Sequence, residues 1–261
     1  MAESRTGVKW NREETILAFD LYCRTPFGKI RANNPDINEL ANLLGRTPGS
    51  VALKMSNLAH FDPELRLRNV SGMAHGSKLD AEISEEFAKN WTGLSYQAQI
   101  IRAKLQGEDI SKLVDLGDVT EIPAGQYREQ VMKARVGQHF FRMSVLNSYG
   151  NKCCITGMKN PELLIASHIK PWDVSNEFTE RTNPSNGLCL NPFHDKAFDR
   201  GFITIDKRYK VIISQQIKEV TMDSETREWF MGYEGKQIIL PEKFLPGKDF
   251  IEYHNDVIFQ G

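Results

Sequence analysis

The sequence predicts an α+β chain: a helical N-terminal part of the helix-turn-helix kind, then a C-terminal part built from short strands and a short helix. Three observations predict it. Two apolar helical periods joined by Gly45-Arg46-Thr47 stand near the N-terminus. An acidic, Pro- and Gly-bearing stretch interrupts the chain at 107–126. Beyond it the helical period gives way to short apolar runs bounded by turn residues. The expected division is a helical domain at 1–106, a linker at 107–126 and a second domain at 127–261. A chain of 261 residues is long enough for two small cores.

Within the first part, Asn11 offers a helix N-cap, with Glu13 and Glu14 in the first turn and an apolar set of Ile16, Leu17, Phe19, Leu21 and Tyr22. A second helix starts near Pro35, with Ile37, Leu40, Ala41 and Leu44 inward, and ends at Gly45. Thr47 and Pro48 open a third helix with Val51, Met55 and Leu58 inward and Ser50 and Lys54 on the other side. A loop is expected from Phe61 through Gly76, then a polar helix from about Leu79 to Leu105. A basic helix is expected from Tyr127 to Tyr149, carrying Arg128, Lys133, Arg135 and Arg142.

The composition, 40% hydrophobic and 26% charged, is that of a soluble globular protein. No apolar run approaches the ~20 residues that span a bilayer. No apolar segment follows Met1-Ala2-Glu3-Ser4-Arg5, so no secretory leader is expected and the expected location is the cytoplasm. A net charge of -1 gives no hint of a nucleic-acid partner, but phosphate binding depends on where charges lie rather than on their sum. Cys23, Cys153, Cys154 and Cys189 form no C-x-x-C pair, which argues against a disulfide framework and a four-cysteine zinc site.

The C-terminal part carries the chemistry. Cys153 to Gly157 reads as a strand into a turn, Leu163 to Ile169 as an apolar strand and Gly187 to Leu190 as another. Pro192 to Arg200 fits a short helix, and Phe202–Ile205 with Val211–Ile213 a closing hairpin. His168 thus ends a strand, Asn186 stands at the mouth of the next, and His194 lies on the helix. A strand-end imidazole can take a proton from water near neutral pH. A histidine on the facing helix can bind a cation, and an amide can both donate to and accept from the backbone of a loop.

Three stretches carry a family resemblance: Ala166-Ser167-His168-Ile169-Lys170-Pro171-Trp172, Asn183-Pro184-Ser185-Asn186-Gly187-Leu188-Cys189-Leu190, and His194-Asp195-Lys196-Ala197-Phe198-Asp199-Arg200-Gly201. They resemble the HNH endonucleases, whose fold is the ββα-metal finger, and within them a subgroup of restriction endonucleases. The resemblance covers about residues 127–214. It implies a metal-dependent nuclease acting on double-stranded DNA, with His168 as general base, Asn186 organising the loop and His194 binding Mg²⁺, Mn²⁺ or another transition metal. Ser167 stands where many relatives carry a second metal ligand, and Phe198 where many carry another histidine. Asp199 is then the nearest further ligand, with Asp195 as its rival. Lys170, Arg181, Lys196 and Arg200 are the basic residues of the finger.

The N-terminal residues Trp10, Glu13, Glu14, Leu40, Ala41, Leu44 to Thr47, Ser50, Val51 and Lys54 resemble a Myb/SANT-like DNA-binding domain. That resemblance makes Arg46, Ser50 and Lys54 the expected groove contacts. The basic helix ahead of the finger makes Arg135 and Arg142 expected phosphate contacts, with Arg181 from the finger itself. A restriction or phage-defence role follows by analogy, and a homodimer because cutting both strands calls for two sites. The alternatives are a non-catalytic DNA-binding regulator and a nuclease confined to RNA or to modified DNA.

Overall fold

The computed structural model describes residues 7–62, 76–113 and 126–261. The chain forms two compact units, Met1–Ser144 with Asn176–Asn183, and Val145–Ser175 with Pro184–Gly261. The division therefore falls elsewhere than at 107–126. The centre of that expected linker, 114–125, lies outside the described residues, as do residues 63–75 of the expected loop.

The N-terminal unit is helical: α1 (Arg12–Arg24), α2 (Pro35–Leu44), α3 (Pro48–Ala59), α4 (Lys78–Ala88), α5 (Trp91–Gln106), the single turn α6 (Ile110–Leu113), and α7 (Gln126–Ser148) as far as Ser144. Helix α1 starts with a capping box: the Asn11 side chain accepts from Glu14 N at 2.9 Å, and the Glu14 carboxylate accepts from Asn11 N at 3.0 Å. Sequence suggested one apolar face for α1. The structure buries it all round, from Glu14 to Cys23, because α2, α3, α4 and α5 all pack against it. Its polar groups are answered inside the unit: Asp20 pairs with Arg24 at 2.6 Å, and the Tyr22 hydroxyl donates to Asp62 at 2.9 Å.

Gly45 ends α2 in the left-handed region (φ 64°), and Thr47 caps α3 by accepting from Ser50 N at 3.2 Å. The expected helix from Leu79 to Leu105 is two. Asn90 stops the first and caps the second, its side chain accepting from Gly93 N at 2.9 Å. Helix α7 belongs mostly to this unit because Met132, Val136 and Phe140 are buried, with the Phe140 ring 6.3 Å from that of Trp91.

The C-terminal unit holds two small antiparallel sheets. Strands β1 (Ile165–His168) and β2 (Gly187–Leu190) pair with Ser167 opposite Leu188 and His168 opposite Gly187. Helix α8 (Pro192–Asp199) packs on both and on β3 (Ile203–Ile205), which pairs with β4 (Val211–Ile213). Cys153 to Gly157 is a turn rather than a strand, closed by Gly157 N donating to Cys153 O at 2.8 Å.

Helices α9 (Gln215–Lys218), α10 (Ser224–Met231) and α11 (Lys248–Tyr253) follow, and a π-helical turn, His254–Ile258, ends the fold. That turn is locked to the end of α8. His254 Nε2 meets Phe198 O at 3.1 Å, its Nδ1 meets the Thr204 hydroxyl at 2.8 Å, and its ring stacks on Phe198 at 3.8 Å. A side chain at Gly201 (φ 71°) would collide with the Ile258 carbonyl oxygen at 2.1 Å.

Candidate active site

The finger is a strand, a loop, a strand and a helix, and its local sequence dictates each turn. Pro192 occupies the first turn of α8, and Asn191 caps it, accepting from His194 N at 2.9 Å. Asn186 is buried, and its amide grips the backbone of Lys170 from both sides: it accepts from Lys170 N at 2.8 Å and donates to Lys170 O at 3.1 Å. Ile169 N adds a bond to Asn186 O at 2.9 Å. The backbone just beyond His168 is thereby held on both sides. The His168 ring is half-buried and meets the edge of Trp172 at 5.6 Å between centroids, 87° between planes.

The next two residues of interest are consecutive on α8, about 100° apart around its axis, His194 buried and Asp195 half-buried. His194 is 1% exposed and lies in an aromatic cluster, with ring centroids of Trp229, Tyr233 and Phe230 at 5.0, 5.5 and 5.8 Å. Its Nδ1 lies 3.2 Å from Asn191 Oδ1, and its Nε2 is buried without a hydrogen-bond partner. Burial lowers its pKa to about 4, which keeps it neutral. The imidazole is thus neutral and enclosed by aromatic rings, the setting of a core residue.

Asp195 and Asp199 are four residues apart and share one side of the helix. Burial raises the carboxyl pKa of Asp195, against the opposing influence of the Ser167 hydroxyl and Lys196. Ser167 is 3% exposed on β1, close enough to Asp195 to act on its charge but outside strict hydrogen-bond geometry. Burial and then the repulsion of Asp195 raise the carboxyl of Asp199, against Lys196 and Arg200. Asp195 thus lies near Ser167 of β1, and Asp199 near Asp195, while His168 follows Ser167 on the same strand.

A half-buried carboxylate and an exposed one that repel each other are short of positive charge, which a divalent cation would supply. Among the described residues no three His, Cys, Asp or Glu side chains converge as a closed cage would require. Two carboxylates plus water and substrate oxygens suit Mg²⁺, which keeps much of its hydration. The i, i+4 spacing of Asp195 and Asp199 was visible in the sequence. What set the phase of the helix, Trp229 and Phe230, stands some 35 residues later.

The expected DNA contacts lie in the N-terminal unit, and two of them are engaged elsewhere. Arg46 is buried, donating to both Glu14 oxygens at 3.1 and 2.8 Å, with its guanidinium 4.3 Å from the centre of the Trp10 ring. Lys54 was expected on the exposed side of α3. It is 5% exposed and pairs with the buried Asp80. Both acids also serve capping boxes, Glu14 for α1 and Asp80 for α4, so each pair ties the α2–α3 region to the start of a neighbouring helix. Lys54 is the one cation of α3, so this helix presents no free positive charge. Ser50 is half-buried and lines a cavity of about 570 Å³ with Lys9, Trp10, Leu53, Asn57 and Lys78. Arg135 and Arg142 are half-buried on α7, where Arg135 reaches Gln138 at 3.5 Å, and Arg181 is half-buried in the 176–183 segment.

No helix among the described residues is long and apolar enough to cross a membrane. No curated protein matches the chain. One family model does: residues 153–206, which hold β1, β2, α8 and β3, match the HNH endonucleases, a nuclease family generally dependent on a divalent metal.

Proposed function

We propose that this chain is a divalent-metal-dependent endonuclease that hydrolyses phosphodiester bonds in double-stranded DNA, in a restriction or phage-defence setting. The observation that carries the reading is the carboxylate pair Asp195 and Asp199, held against Ser167 at the end of the strand that presents His168. The family match supports the nuclease chemistry, and the defence setting rests on analogy.

In this reading Asp195 and Asp199 hold the cation, with Ser167 beside them. A divalent cation bound there supplies charge neutralisation at the phosphate and the leaving oxygen. His168 takes the proton from the attacking water, which is worth ~10²–10⁴-fold in rate. Asn186 keeps the backbone at Lys170 fixed, so the imidazole works from one position. His194 fills the core behind the helix, where its neutral ring needs no counter-charge. Arg135, Arg142 and Arg181 are the proposed phosphate contacts of the N-terminal unit, whereas Arg46 and Lys54 are taken up by their buried acids.

Plasmid nicking by the purified protein tests this. Supercoiled DNA should be cut in Mg²⁺ or Mn²⁺ and left intact in chelator, and His168→Ala should lose at least a hundredfold in rate while still binding DNA. A protein that binds DNA but never cuts it with any divalent metal is the non-catalytic regulator instead.

A further inference from the structure

The loop between His168 and Asn186 has two layers of restraint. At its base, the Ser175 hydroxyl meets the carbonyls of Lys170 and Pro171 at 3.1 and 2.8 Å, and Asn186 Nδ2 lies 3.4 Å from the same hydroxyl. Its tip, Asn176–Asn183, is part of the N-terminal unit. Trp91 N donates to Phe178 O at 3.0 Å. The Thr92 hydroxyl donates to Glu177 O at 2.7 Å and lies 2.9 Å from the Thr182 hydroxyl. Thr92 has one proton to give, so Thr182 is the donor in that second bond. Lys133 pairs with Glu177 at 3.1 Å and sits 5.2 Å from the centre of the Phe178 ring. Helix α7 passes close to Thr182: a Cβ at Gly137 would stand 2.7 Å from its methyl.

Loops that only connect elements are exposed and loosely held. This one buries Thr182 completely and spends two buried hydroxyls on a chain running from Thr182 through Thr92 to Glu177 O. The return leg has little slack. Asn186 stands four positions after Thr182, and Pro184–Asn186 is a 3₁₀ turn with proline at its first position. That short leg ties Thr182 covalently to Asn186, which holds the backbone two residues past His168.

We propose that the Thr92–Thr182 pair is a positioning device for the reaction: it holds the tip of the finger loop so that Asn186 keeps its grip on the backbone beside His168. The catalytic role of His168 that this serves rests on the nuclease reading above. Thr92 and Thr182 touch no reacting atom and act through Asn186.

The experiment compares full-length Thr92→Val, Thr92→Ser and Gly137→Ala with the parent. Val keeps the shape and removes the hydroxyl, Ser keeps the hydroxyl, and Ala at 137 favours the helix while crowding Thr182. The first measurement is hydrogen exchange at the Lys170 amide, in chelator and without DNA. Its protection should fall roughly tenfold in Thr92→Val and Gly137→Ala, the scale of losing one buried hydrogen bond, and return in Thr92→Ser. Amides of α8 should keep their parental protection. The second measurement is the single-turnover nicking rate at saturating DNA. It should fall in step with Lys170 protection while DNA affinity stays within twofold. Parental protection at Lys170 in both disrupting variants overturns the proposal, as does a parental nicking rate despite lost protection. If the parent protein cuts no DNA, the nuclease reading fails on its own, and the exchange data still decide whether the pair controls the grip on Lys170. If Thr92→Val does not fold, Gly137→Ala carries the same decision.

Discussion

His194 and Asp195 are neighbours on α8, and the structure assigns them opposite consequences. Replacing Asp195 with Asn removes a half-buried carboxylate that burial strains and that repels Asp199. Without metal, that relief should stabilise the fold slightly, by roughly 0.2–0.5 kcal/mol, the scale of an i, i+4 like-charge pair. Metal-dependent nicking should nevertheless collapse, since half the protein's charge for the cation is gone. Replacing His194 with Ala should do the reverse. The ring is enclosed by Trp229, Phe230 and Tyr233, and the cavity left behind should cost about 2–4 kcal/mol, within the range of large-to-small core changes. Urea denaturation in chelator measures both stabilities, and calorimetric titration with Mn²⁺ at a temperature where all variants are folded measures the metal. A His194→Ala protein of parental stability that has lost Mn²⁺ affinity would refute the assignment of the two faces. So would an Asp195→Asn protein that binds Mn²⁺ as tightly as the parent.

Three further outcomes are expected. His194 and His254 both have pKa values lowered to about 4 by burial, against an ordinary value near 6.5. Unfolded histidines then bind protons that the folded ones refuse, so stability falls as pH drops from 6.5 toward 4, by roughly 2 kcal/mol per histidine at pH 5. Urea midpoints at pH 7.5 and 5 check this, and a flat profile contradicts it. Arg46→Ala leaves Glu14 buried without its partner and should cost about 3–5 kcal/mol in thermal or urea unfolding, whereas a surface contact to DNA would cost almost nothing. Arg142→Ala should weaken DNA binding and lower the salt slope of the affinity by about one, read by fluorescence anisotropy across a salt series; an unchanged slope removes it from the phosphate contacts.

Local sequence determined a good deal of this protein. Caps and apolar periods delimit α1, α2 and α3 to within a residue or two, because Asn11, Gly45 and Thr47 act on the backbone beside them. The order strand, Asn186, strand, Pro192-led helix is equally local, and with it the positions of His168 and Asn186 in the finger. The tertiary structure decided which faces those elements present. Whether His194 or Asp195 turns toward β1 depends on aromatic residues of α10 that claim the other side of α8. Whether Lys54 meets solvent or an acid depends on Asp80, 26 positions away, and Arg46 is taken by Glu14 across 32. A sequence period names the apolar side of a helix, but a charged residue beside that side goes wherever its partner lies. The loop at 176–183 looks like any polar connection until Thr92 and Lys133 are seen to hold it. Such long-range pairings leave no period in the chain, so only the folded molecule discloses them.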